Sequence, residues 1–373
     1  MKIAIVGLRA LGDTSGGVER HVHELALRLA SKGHDISVFC RKKYNQFHEK
    51  IHEGVRLINR PALYSKHFEA ISHTAICIPS VLTGYDIVHF HAMGPSLLSW
   101  APRLTGRKVV VTVHGRDYLS GKWGSLASAV LRVGAWTSAV CPHATIVVSR
   151  QHELLYKEKY GKDTVYIPNG VSEPTLRPVN KLARFGIEGD DYVLFLGRLV
   201  PEKGAHYLIR AFRNVAPDGL KLLIVGGSSY SDQYERELVQ ASNGDSRIVF
   251  TGPLFGQEKD EAFTNCKLFV LPSDREGMPI VLLEAMSYGV PVLMSDIPQC
   301  REVIQEADET ELGGPVVYTF SHGNVQELTE KLNEMLSFVY LFDLGKRAKE
   351  YILKTYDWNI ITDKTLDLYN QLL

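Results

Sequence analysis

The stretch LPSDREGMPIVLLEAMSYGVP, residues 271–291, carries two carboxylates, Glu276 and Glu284, with seven residues between them. An apolar run, residues 268–271, leads into it, and Glu284 lies among the strong helix formers LLEAM. Pro279 lies where the first helical turn should begin, a position that suits its fixed φ and missing N–H. The pattern predicts a strand, a short loop and a helix N-terminus, whose free backbone N–H groups can bind an anion.

Two acids beside an anion-binding helix end need a ligand that uses both. Vicinal hydroxyls of a sugar or a ribose donate hydrogen bonds to carboxylates, while backbone amides hold a phosphate. The residues therefore indicate a nucleotide-sugar site. The alternative interpretation of the same spacing is an amphipathic helix with an acidic first turn and a solvated second glutamate.

The segment E-G-M-P-I-V-L-L-E, with A-M-S-Y-G-V-P-V after it, resembles the E-x7-E motif of the retaining glycosyltransferases of family 4. The resemblance implies an α/β protein of the GT-B fold, in which two doubly wound, Rossmann-like parallel-sheet domains face each other across a cleft. It also implies that Glu284 binds the ribose and Glu276 the sugar hydroxyls. The residues that follow Glu276 would complete the donor site: Gly277, Met278, Pro279 and Ile280.

Length and composition fit a two-domain globular protein. The chain has 373 residues, 45% of them hydrophobic and 23% charged, which is too long for one ordinary core. Its five cysteines are scattered and form no C-x-x-C pair, which favours reduced, mostly buried thiols in a cytoplasmic protein. No run approaches the ~18 apolar residues of a membrane span, and Arg9 interrupts the apolar N-terminus, so we expect no signal peptide.

Charge is distributed unevenly along a chain whose net charge is zero. Residues 1–170 carry 22 Lys and Arg against 12 Asp and Glu, whereas residues 171–373 carry 20 against 30. A net charge of +10 on the first part would suit an anionic acceptor or membrane surface. Chance variation of surface charge is the alternative explanation.

Short β-branched runs alternate with helical patterns throughout, as in parallel α/β proteins. The first set of strands is predicted near 3–7, 36–40, 86–90, 108–113 and 144–148, and the helix after the first strand carries Val18, Val22, Leu25 and Leu29 at helical spacing. The pattern restarts after the hinge-like segment 169–180, with strands predicted near 192–197, 221–226, 247–251, 267–271, 292–294 and 315–318.

These patterns predict an N-terminal domain, residues 1–170, and a C-terminal domain, residues 171–356. The resemblance implies that the first binds the acceptor and the second the nucleotide-sugar donor. It also implies that a last helix, residues 357–373, crosses back onto the N-terminal domain.

The segment F-L-G-R-L-V-P-E-K-G, residues 195–204, places two cations in the loop after the first strand of the second domain. Arg198 offers a planar fork of donors and Lys203 a point charge. Such a pair suits a diphosphate leaving group, whose negative charge grows as the glycosidic bond breaks. The G-R-L-x-x-x-K-G pattern matches the family, which implies that both residues bind the donor diphosphate and act in catalysis.

Paired glycines at a helix start, Gly16 and Gly17, allow the backbone to approach a ligand closely. The family uses a G-G motif there, near the donor phosphates. The loop around Gly252, which follows another strand, is implied to lie near the nucleotide base. Taken alone, each is also an ordinary turn.

Histidines mark the ends of two strands in the first domain. His114 follows the strand 109–113 and precedes Gly115, a location where active sites form in such sheets. The resemblance places it beside the transferred sugar, as a catalytic residue. His89 and His91 share one face of another strand, and we expect them, with Asp117, on the acceptor side of the cleft.

Several sequence motifs are absent. The chain has no D-x-D triplet, G-x-G dinucleotide fingerprint, P-loop or G-x-S-x-G elbow. We therefore expect no cofactor and no metal: Arg198, Lys203 and helix ends would supply the positive charge. The absence of D-x-D removes the carboxylate motif with which the other major glycosyltransferase fold binds its metal.

The sequence thus predicts a retaining glycosyltransferase that moves a sugar from a nucleotide-diphosphate donor to a hydroxyl acceptor in polysaccharide or glycolipid assembly. The segments G-L-R-A-L-G-D-T-S-G-G-V-E-R-H and C-R-K-K-Y also resemble a bacterial subgroup that includes rhamnosyltransferases. A lipid-linked saccharide is one candidate acceptor, reached from the inner face of the plasma membrane; nucleic acid is not an expected partner. Asp13 and Asp117 are candidate nucleophiles, and a front-face mechanism needs none. A GT-B epimerase and a non-catalytic nucleotide-sugar-binding protein remain alternatives.

Overall fold

The structure is a computed structural model. It describes residues 1–12, 16–47, 49–65, 68–115, 125–189, 191–215, 219–227, 233–338 and 341–373. The chain forms two compact units. The first comprises Met1–Gly170 with Trp358–Leu373, and the second comprises Val171–Asp357.

The first unit is built mainly of alternating strands and helices. Its elements within residues 1–170 are β1 (Lys2–Val6), α1 (Gly17–Ser31), β2 (Asp35–Arg41), β3 (Ile51–His52), β4 (Val55–Arg60), α2 (Glu69–Val81), β5 (Ile87–His91), α3 (Met93–Ser96), α4 (Trp100–Leu104), β6 (Lys108–Val113), α5 (Ser125–Val140), β7 (Ala144–Val147), α6 (Arg150–Tyr160) and β8 (Val165–Tyr166).

The strands of the first unit form one sheet in the order β3-β4-β2-β1-β5-β6-β7-β8. The pairs are parallel, apart from the short antiparallel strand β3 at the edge. Ile3 and Ile5 of β1 face the core beneath α1, while Ala4 and Val6 face the core beneath α2 and α5. Because helices cover both faces, the strands read as continuous apolar runs.

The second unit repeats the architecture. Its elements are β9 (Tyr192–Leu196), α7 (Ala205–Arg213), β10 (Lys221–Val225), α8 (Gln233–Ser242), β11 (Ile248–Gly252), α9 (Gln257–Thr264), β12 (Leu268–Leu271), α10 (Ile280–Ser287), β13 (Val292–Ser295), α11 (Pro298–Ile304), α12 (Glu309–Leu312), β14 (Tyr318–Phe320), α13 (Val325–Leu336) and α14 (Leu341–Tyr356). Two short 3₁₀ helices span Lys181–Phe185 and Pro201–Lys203.

The sheet of the second unit is parallel, in the order β11-β10-β9-β12-β13-β14. After β9 the chain adds β10 and β11 on one side of that strand. It then adds β12 on the other side of β9. Ligands of doubly wound sheets bind outside the carboxyl ends of the strands at such a reversal. The equivalent reversal in the first sheet lies between β1 and β5.

The last helix, α15 (Trp358–Leu372), belongs to the first unit. Trp358, Ile361, Leu368 and Tyr369 are buried in the core that α1 covers. A Cβ added to Gly170 would lie 2.6 Å from the Trp358 ring, so glycine is required for this contact. The first unit is therefore discontinuous in sequence.

The predicted fold class, with two doubly wound parallel sheets, is confirmed. The helix predicted after the first strand is α1, in which Val22, Leu25 and Leu29 are buried. The strand predicted near 315–318 begins only at Tyr318, because positive φ at Gly313 and Gly314 and the missing N–H of Pro315 delay it. The strand β4, which the sequence patterns missed, pairs with β2.

The cysteines are free and, except for half-buried Cys141, lie in the interior. In the described part of the chain, no helix is both long and apolar enough to cross a membrane.

Candidate active site

The loops at the sheet reversal of the second unit bring together the predicted donor residues. The loop after β9 carries Arg198 and Lys203, and the loop after β12 carries Glu276. A backbone hydrogen bond from Asp274 N–H to the Glu202 carbonyl joins the two loops. Because β9 and β12 are adjacent in the sheet, residues more than seventy positions apart in sequence meet at one edge.

Lys203 and Glu276 form the central ion pair of this edge. The Lys203 Nζ lies 2.6 Å from both Oε1 and Oε2 of Glu276, and the Ser273 hydroxyl donates a hydrogen bond to Oε1 at 2.7 Å. The side chains are 15% and 6% exposed, respectively. The carboxylate is thus held in a fixed orientation by three contacts, while the pair retains access to solvent.

Arg198 lies on the same loop as Lys203, and its side chain is exposed. It forms no ion pair with any of the described residues. Its loop is fixed by backbone bonds from Gly197 N–H to the Val225 carbonyl and from Leu199 N–H to the Gly227 carbonyl. The Arg198 guanidinium therefore extends from a rigid loop and can meet an anion without first breaking another contact.

Glycine allows the close approach of the loops. Gly204 follows Lys203 with a φ of +69°, and a Cβ there would lie 1.9 Å from the Pro272 carbonyl oxygen. Any side chain at this position would push apart the loops that hold Lys203 and Glu276. The K-G step of the sequence motif thus has a direct packing cause.

Glu284 lies in α10 and forms a second ion pair, with Lys259 of α9. Lys259 Nζ lies 2.7 Å from Glu284 Oε1, and the side chains are 24% and 15% exposed. Glu276 and Glu284 therefore each hold a lysine in the same unit. Because each glutamate is paired with a lysine, neither carboxylate charge is left uncompensated, although one acid lies in a loop and the other in the helix that follows it.

The predicted donor residues between the two acids form the loop and start of α10. Gly277 and Met278 lie in the loop, and Ile280 is the first residue of the helix. Pro279 immediately precedes the helix instead of lying in its first turn, because its ψ of 91° is extended. Gly252, the last residue of β11, has a φ of +72° and accepts a hydrogen bond from Gly226 N–H.

In the first unit, Gly16 is the N-cap of α1 and Gly17 its first residue. Among the described residues, no side chain caps this helix end, so its first backbone N–H groups are candidates for binding an anion. A Cβ on Gly16 would lie 2.2 Å from the Glu19 carboxylate. A side chain at this position would therefore require the Glu19 carboxylate to move.

His114 belongs to a cluster of four histidines that also includes His21, His89 and His91. The ring centroids of His21 and His114 are 4.9 Å apart, and those of His89 and His91 are 4.2 Å apart. His114 alone of the four is half-buried; the others lie in the interior. Burial lowers the pKa of all four, to about 4 for His21 and about 3 for His89, so the cluster is neutral at physiological pH.

The prediction that His89 and His91 line an acceptor site is wrong for their side chains. Both are completely buried. His89 contacts the Tyr369 hydroxyl at 2.6 Å through Nδ1 and the Thr112 hydroxyl at 2.7 Å through Nε2. The helix α15 provides Tyr369, so burial depends on a segment far away in sequence. Asp13 and Asp117 lie outside the described residues.

Some residues of the site were not apparent from the sequence. Lys259 and Ser273 contact the two glutamates, and Oδ1 of Asn169 accepts a hydrogen bond from Nδ1 of His21 at 2.9 Å. The position of Asn169 in the N-G-V segment was the available signal. No group of three or more His, Cys, Asp and Glu side chains within the described ranges could hold a metal ion.

Comparison with known proteins follows the same division of the chain. Residues 15–173 match the family described as Glycosyltransferase Family 4, and residues 180–352 match the family described as Glycosyl transferases group 1. The phosphatidyl-myo-inositol mannosyltransferase of Mycobacterium leprae is 28% identical over 366 residues, 96% of this chain and 93% of that protein. The O-antigen chain mannosyltransferase C of Escherichia coli is 26% identical over 377 residues, 97% and 96% of the two chains.

Among solved structures, sucrose-phosphate synthase from Thermosynechococcus elongatus matches with a TM-score of 0.80 at 23% identity, covering 100% of this chain and 99% of that one. The paired doubly wound sheets and this likeness define the GT-B fold of glycosyltransferases. By its two family matches, the chain belongs to glycosyltransferase family 4, and it is a glycosyltransferase.

Proposed function

We propose that this enzyme transfers a sugar from a nucleotide-diphosphate donor to a hydroxyl acceptor with retention of the anomeric configuration. The observation that carries the proposal is the Lys203–Glu276 pair, with exposed Arg198 on the same loop as Lys203. Cations and a carboxylate at one sheet edge match a ligand that joins a diphosphate to a polyol.

The donor would replace the contacts that the two glutamates make with lysines. In this proposal, Arg198 and Lys203 bind the diphosphate, Glu276 accepts hydrogen bonds from sugar hydroxyls, and Glu284 accepts them from the ribose diol. Lys203, released from Glu276, would take the donor diphosphate as its counter-charge, so the exchange leaves no isolated buried ammonium at that pair. The loop 277–280 and the N-terminus of α10 would complete the donor site.

Retention would follow from a front-face reaction. The bond between the anomeric carbon and the departing phosphate oxygen breaks, and the acceptor oxygen bonds to the same face. The acceptor's proton passes to the departing phosphate. Arg198 and Lys203 would stabilise the charge that develops on the diphosphate. We propose that neither a cofactor nor a divalent metal is needed, which unchanged rates in a chelating buffer would support and an absolute Mg²⁺ requirement would contradict.

The acceptor is proposed to be a lipid-linked or saccharide hydroxyl, in the assembly of a glycolipid or polysaccharide. The names of the mycobacterial and E. coli relatives support this assignment, since both are mannosyltransferases acting on such molecules. Mannose is accordingly the first sugar to test. The resemblance to a rhamnosyltransferase-containing subgroup makes rhamnose the second.

We also propose that the enzyme works peripherally at the cytoplasmic face of the plasma membrane. Val133 and Trp136 on α5 are 52% and 53% exposed, and Arg132 is exposed on the same helix. Residues 1–170 carry ten more basic than acidic side chains. Exposed apolar residues next to basic ones favour insertion at an anionic lipid interface.

The donor site is tested by thermal unfolding with UDP, GDP, dTDP and ADP and their sugar conjugates. A ligand at 100 times its dissociation constant stabilises the folded state by about 2.7 kcal/mol. Glu284→Ala should abolish the shift. Lys259→Met is the matched control: it breaks the same ion pair but keeps the carboxylate, so it should still respond to the nucleotide. Equal loss in both variants would assign Glu284 a structural role.

Product analysis separates transfer from the alternatives. With the donor identified, transfer requires a second substrate and releases nucleoside diphosphate together with a glycosylated acceptor. An epimerase would interconvert the sugar nucleotide without an acceptor. A binding protein would give a thermal shift but no turnover. Either of the last two results would overturn the proposed reaction.

Membrane association is tested by co-sedimentation with vesicles. Binding to vesicles that contain phosphatidylglycerol should exceed binding to pure phosphatidylcholine and should weaken in high salt. A Val133→Ser/Trp136→Ser variant should bind less. The control, Val239→Ser/Phe255→Ser, changes equally exposed apolar residues of the second unit. Salt-independent binding, or equal loss in both variants, would contradict the proposed surface.

A further inference from the structure

His91 is the most enclosed partner of the predicted catalytic histidine. Its Nδ1 lies 3.0 Å from Nε2 of His114, and the two rings stack at an interplanar angle of 23°. His91 is completely buried, whereas His114 is half-buried. The hydrogen bond between His91 and His114 is therefore not a contact between two surface side chains. It connects a core residue at the end of β5 to the residue that follows β6.

The His91 backbone is fixed at the sheet reversal. A Cβ added to neighbouring Gly7, at the end of β1, would lie 2.3 Å from the His91 carbonyl oxygen. The next residue, Ala92, has φ 73° and ψ 161°, a conformation that non-glycine residues rarely adopt. Its N–H donates to the Thr112 carbonyl at 2.9 Å. Strain of this kind persists only where the surroundings enforce it, so His91 has little freedom to change its position.

The other ring nitrogen of His91 decides the direction of the hydrogen bond. His91 Nε2 is buried and has no hydrogen-bond partner among the described residues. Each neutral imidazole carries one N–H and one lone pair. If His114 donated from Nε2, the His91 proton would be on its own Nε2 and would be buried without an acceptor.

The opposite direction leaves only a lone pair unpaired. Here His91 donates from Nδ1 to the lone pair of His114 Nε2, and no N–H is buried without a partner. Among backbone groups, orphaned buried N–H donors are rarer than under-satisfied acceptors, and a lost donor contact costs its full desolvation penalty. By the same reasoning, the second arrangement is the more stable one.

We infer that His91 is a positioning residue for His114: it donates to His114 Nε2 and so fixes the His114 proton on Nδ1. The lone pair of His114 is then already occupied. In the proposed transfer reaction, on which this chemical consequence rests, His114 can donate a hydrogen bond to an oxygen of the donor sugar but cannot accept the acceptor's proton. The front-face step assigns that proton to the departing phosphate.

Nitrogen NMR of the full-length chain labelled with ¹⁵N-histidine tests the inference without any substrate. Long-range ¹H–¹⁵N spectra distinguish a protonated ring nitrogen from one that bears a lone pair, and the His114 signals are assigned by their absence in His114→Ala. We expect His114 protonated at Nδ1 and His91 protonated at Nδ1. A His114 proton on Nε2 in the unmodified chain would overturn the inference.

Variants connect the tautomer to function. His91→Leu removes the donor, so both His114 tautomers should appear. We expect kcat to fall about 10- to 100-fold, by analogy with the loss of the partner that orients a metal-ligating imidazole, with little change in KM. His91→Asn places an amide N–H near the Nδ1 position. It should therefore partly restore both the single His114 tautomer and kcat. Buried His73, which lies outside the cluster, gives the matched control His73→Leu.

The outcomes separate this inference from the proposed function. A His114 spectrum that is unchanged in His91→Leu would refute the positioning role even if kcat falls. If the spectra are as expected but the protein shows no transfer activity, the hydrogen bond from His91 to His114 is supported and the proposed reaction is refuted. Because the spectrum of the unmodified chain is decisive alone, the test does not depend on whether His91→Leu folds.

Discussion

The Lys203 ammonium lies 2.6 Å from each carboxylate oxygen of Glu276, although the two residues are 73 positions apart. The contact exists because the chain returns to the side of β9 when it forms β12. Each side chain is mostly buried, so the loss of one partner leaves a charge that water compensates only partly.

Removal of both partners should destabilise the fold by less than the sum of the two single removals. We expect Lys203→Met and Glu276→Gln each to lower the free energy of unfolding by about 1–3 kcal/mol, and the double variant to lose less than the sum. Urea unfolding of the four forms measures the coupling. The more exposed pair Lys331–Glu334 should show much weaker coupling in the same cycle. Additive effects at Lys203 and Glu276 would contradict a direct interaction.

A methyl group at Gly170 should disrupt the contact with α15. The added Cβ would meet the Trp358 ring at 2.6 Å, and such overpacking typically costs about 1–3 kcal/mol. Gly170→Ala should therefore lower the unfolding midpoint. Gly189 has no atom of the described residues within 4 Å of its ideal Cβ, so Gly189→Ala should leave the midpoint unchanged or raise it. Equal midpoints for the two variants would show that Trp358 can move aside.

Loss of the Tyr369 hydroxyl should expose the role of α15 in the histidine cluster. Tyr369→Phe leaves His89 Nδ1 buried without its partner at 2.6 Å, which should cost about 1–3 kcal/mol of unfolding free energy. The control is Tyr85→Phe, because the Tyr85 hydroxyl has no hydrogen-bond partner within the described part of the chain. Hydrogen exchange of α15 amides would locate the effect, and unaltered protection would contradict it.

The Glu261 carboxylate should contribute stability that depends on pH. Its Oε2 accepts N–H bonds from Asn180, Lys181 and Leu182 at 3.0, 2.8 and 3.2 Å. Burial alone would raise the pKa of Glu261, but the backbone donors, with Gln257, outweigh burial and lower it. The folded state therefore binds this proton less readily than the unfolded state. The stabilisation is complete above the usual glutamate pKa and is lost as pH falls through the lowered value.

Glu261→Gln accordingly separates charge from shape. At neutral pH the variant should be less stable by about 1–3 kcal/mol, since an amide accepts these bonds less strongly and turns a donor toward them. The difference from the unmodified chain should shrink as pH falls below the usual value of 4.5. Unfolding midpoints measured across an acid series give the comparison. A constant difference would mean that ionisation of Glu261 does not contribute.

The location of the motifs could be predicted because it is a local property. Each motif follows an apolar run, and the carboxyl ends of parallel strands form one edge, so Arg198, Lys203 and Glu276 were expected together. Their pairing could not be predicted, because it depends on the order of β9 and β12 in the sheet. The Glu284–Lys259 pair likewise requires the packing of two helices that the sequence leaves unspecified.

The histidines show the same limit. Spacing of two predicted that His89 and His91 share a face of β5, but not that this face is buried. The covering residue, Tyr369, is 280 positions away from His89. The strand β4 was missed because V-R-L-I-N-R lacks the continuous apolar run of strands such as β1 and β6.

The discontinuous first unit also determines when it can be completed during synthesis. A ribosome that has translated Gly170 has not yet made Trp358 or Tyr369, two of the largest side chains in the core of that unit. Domains usually fold in the order in which they emerge, the N-terminal one first. Here the N-terminal unit must wait for residues 358–373, so the second unit is the first that can be finished. A fragment that stops at Gly170 would lack part of the core of the first unit. It would expose the apolar surface that α15 covers in the complete unit.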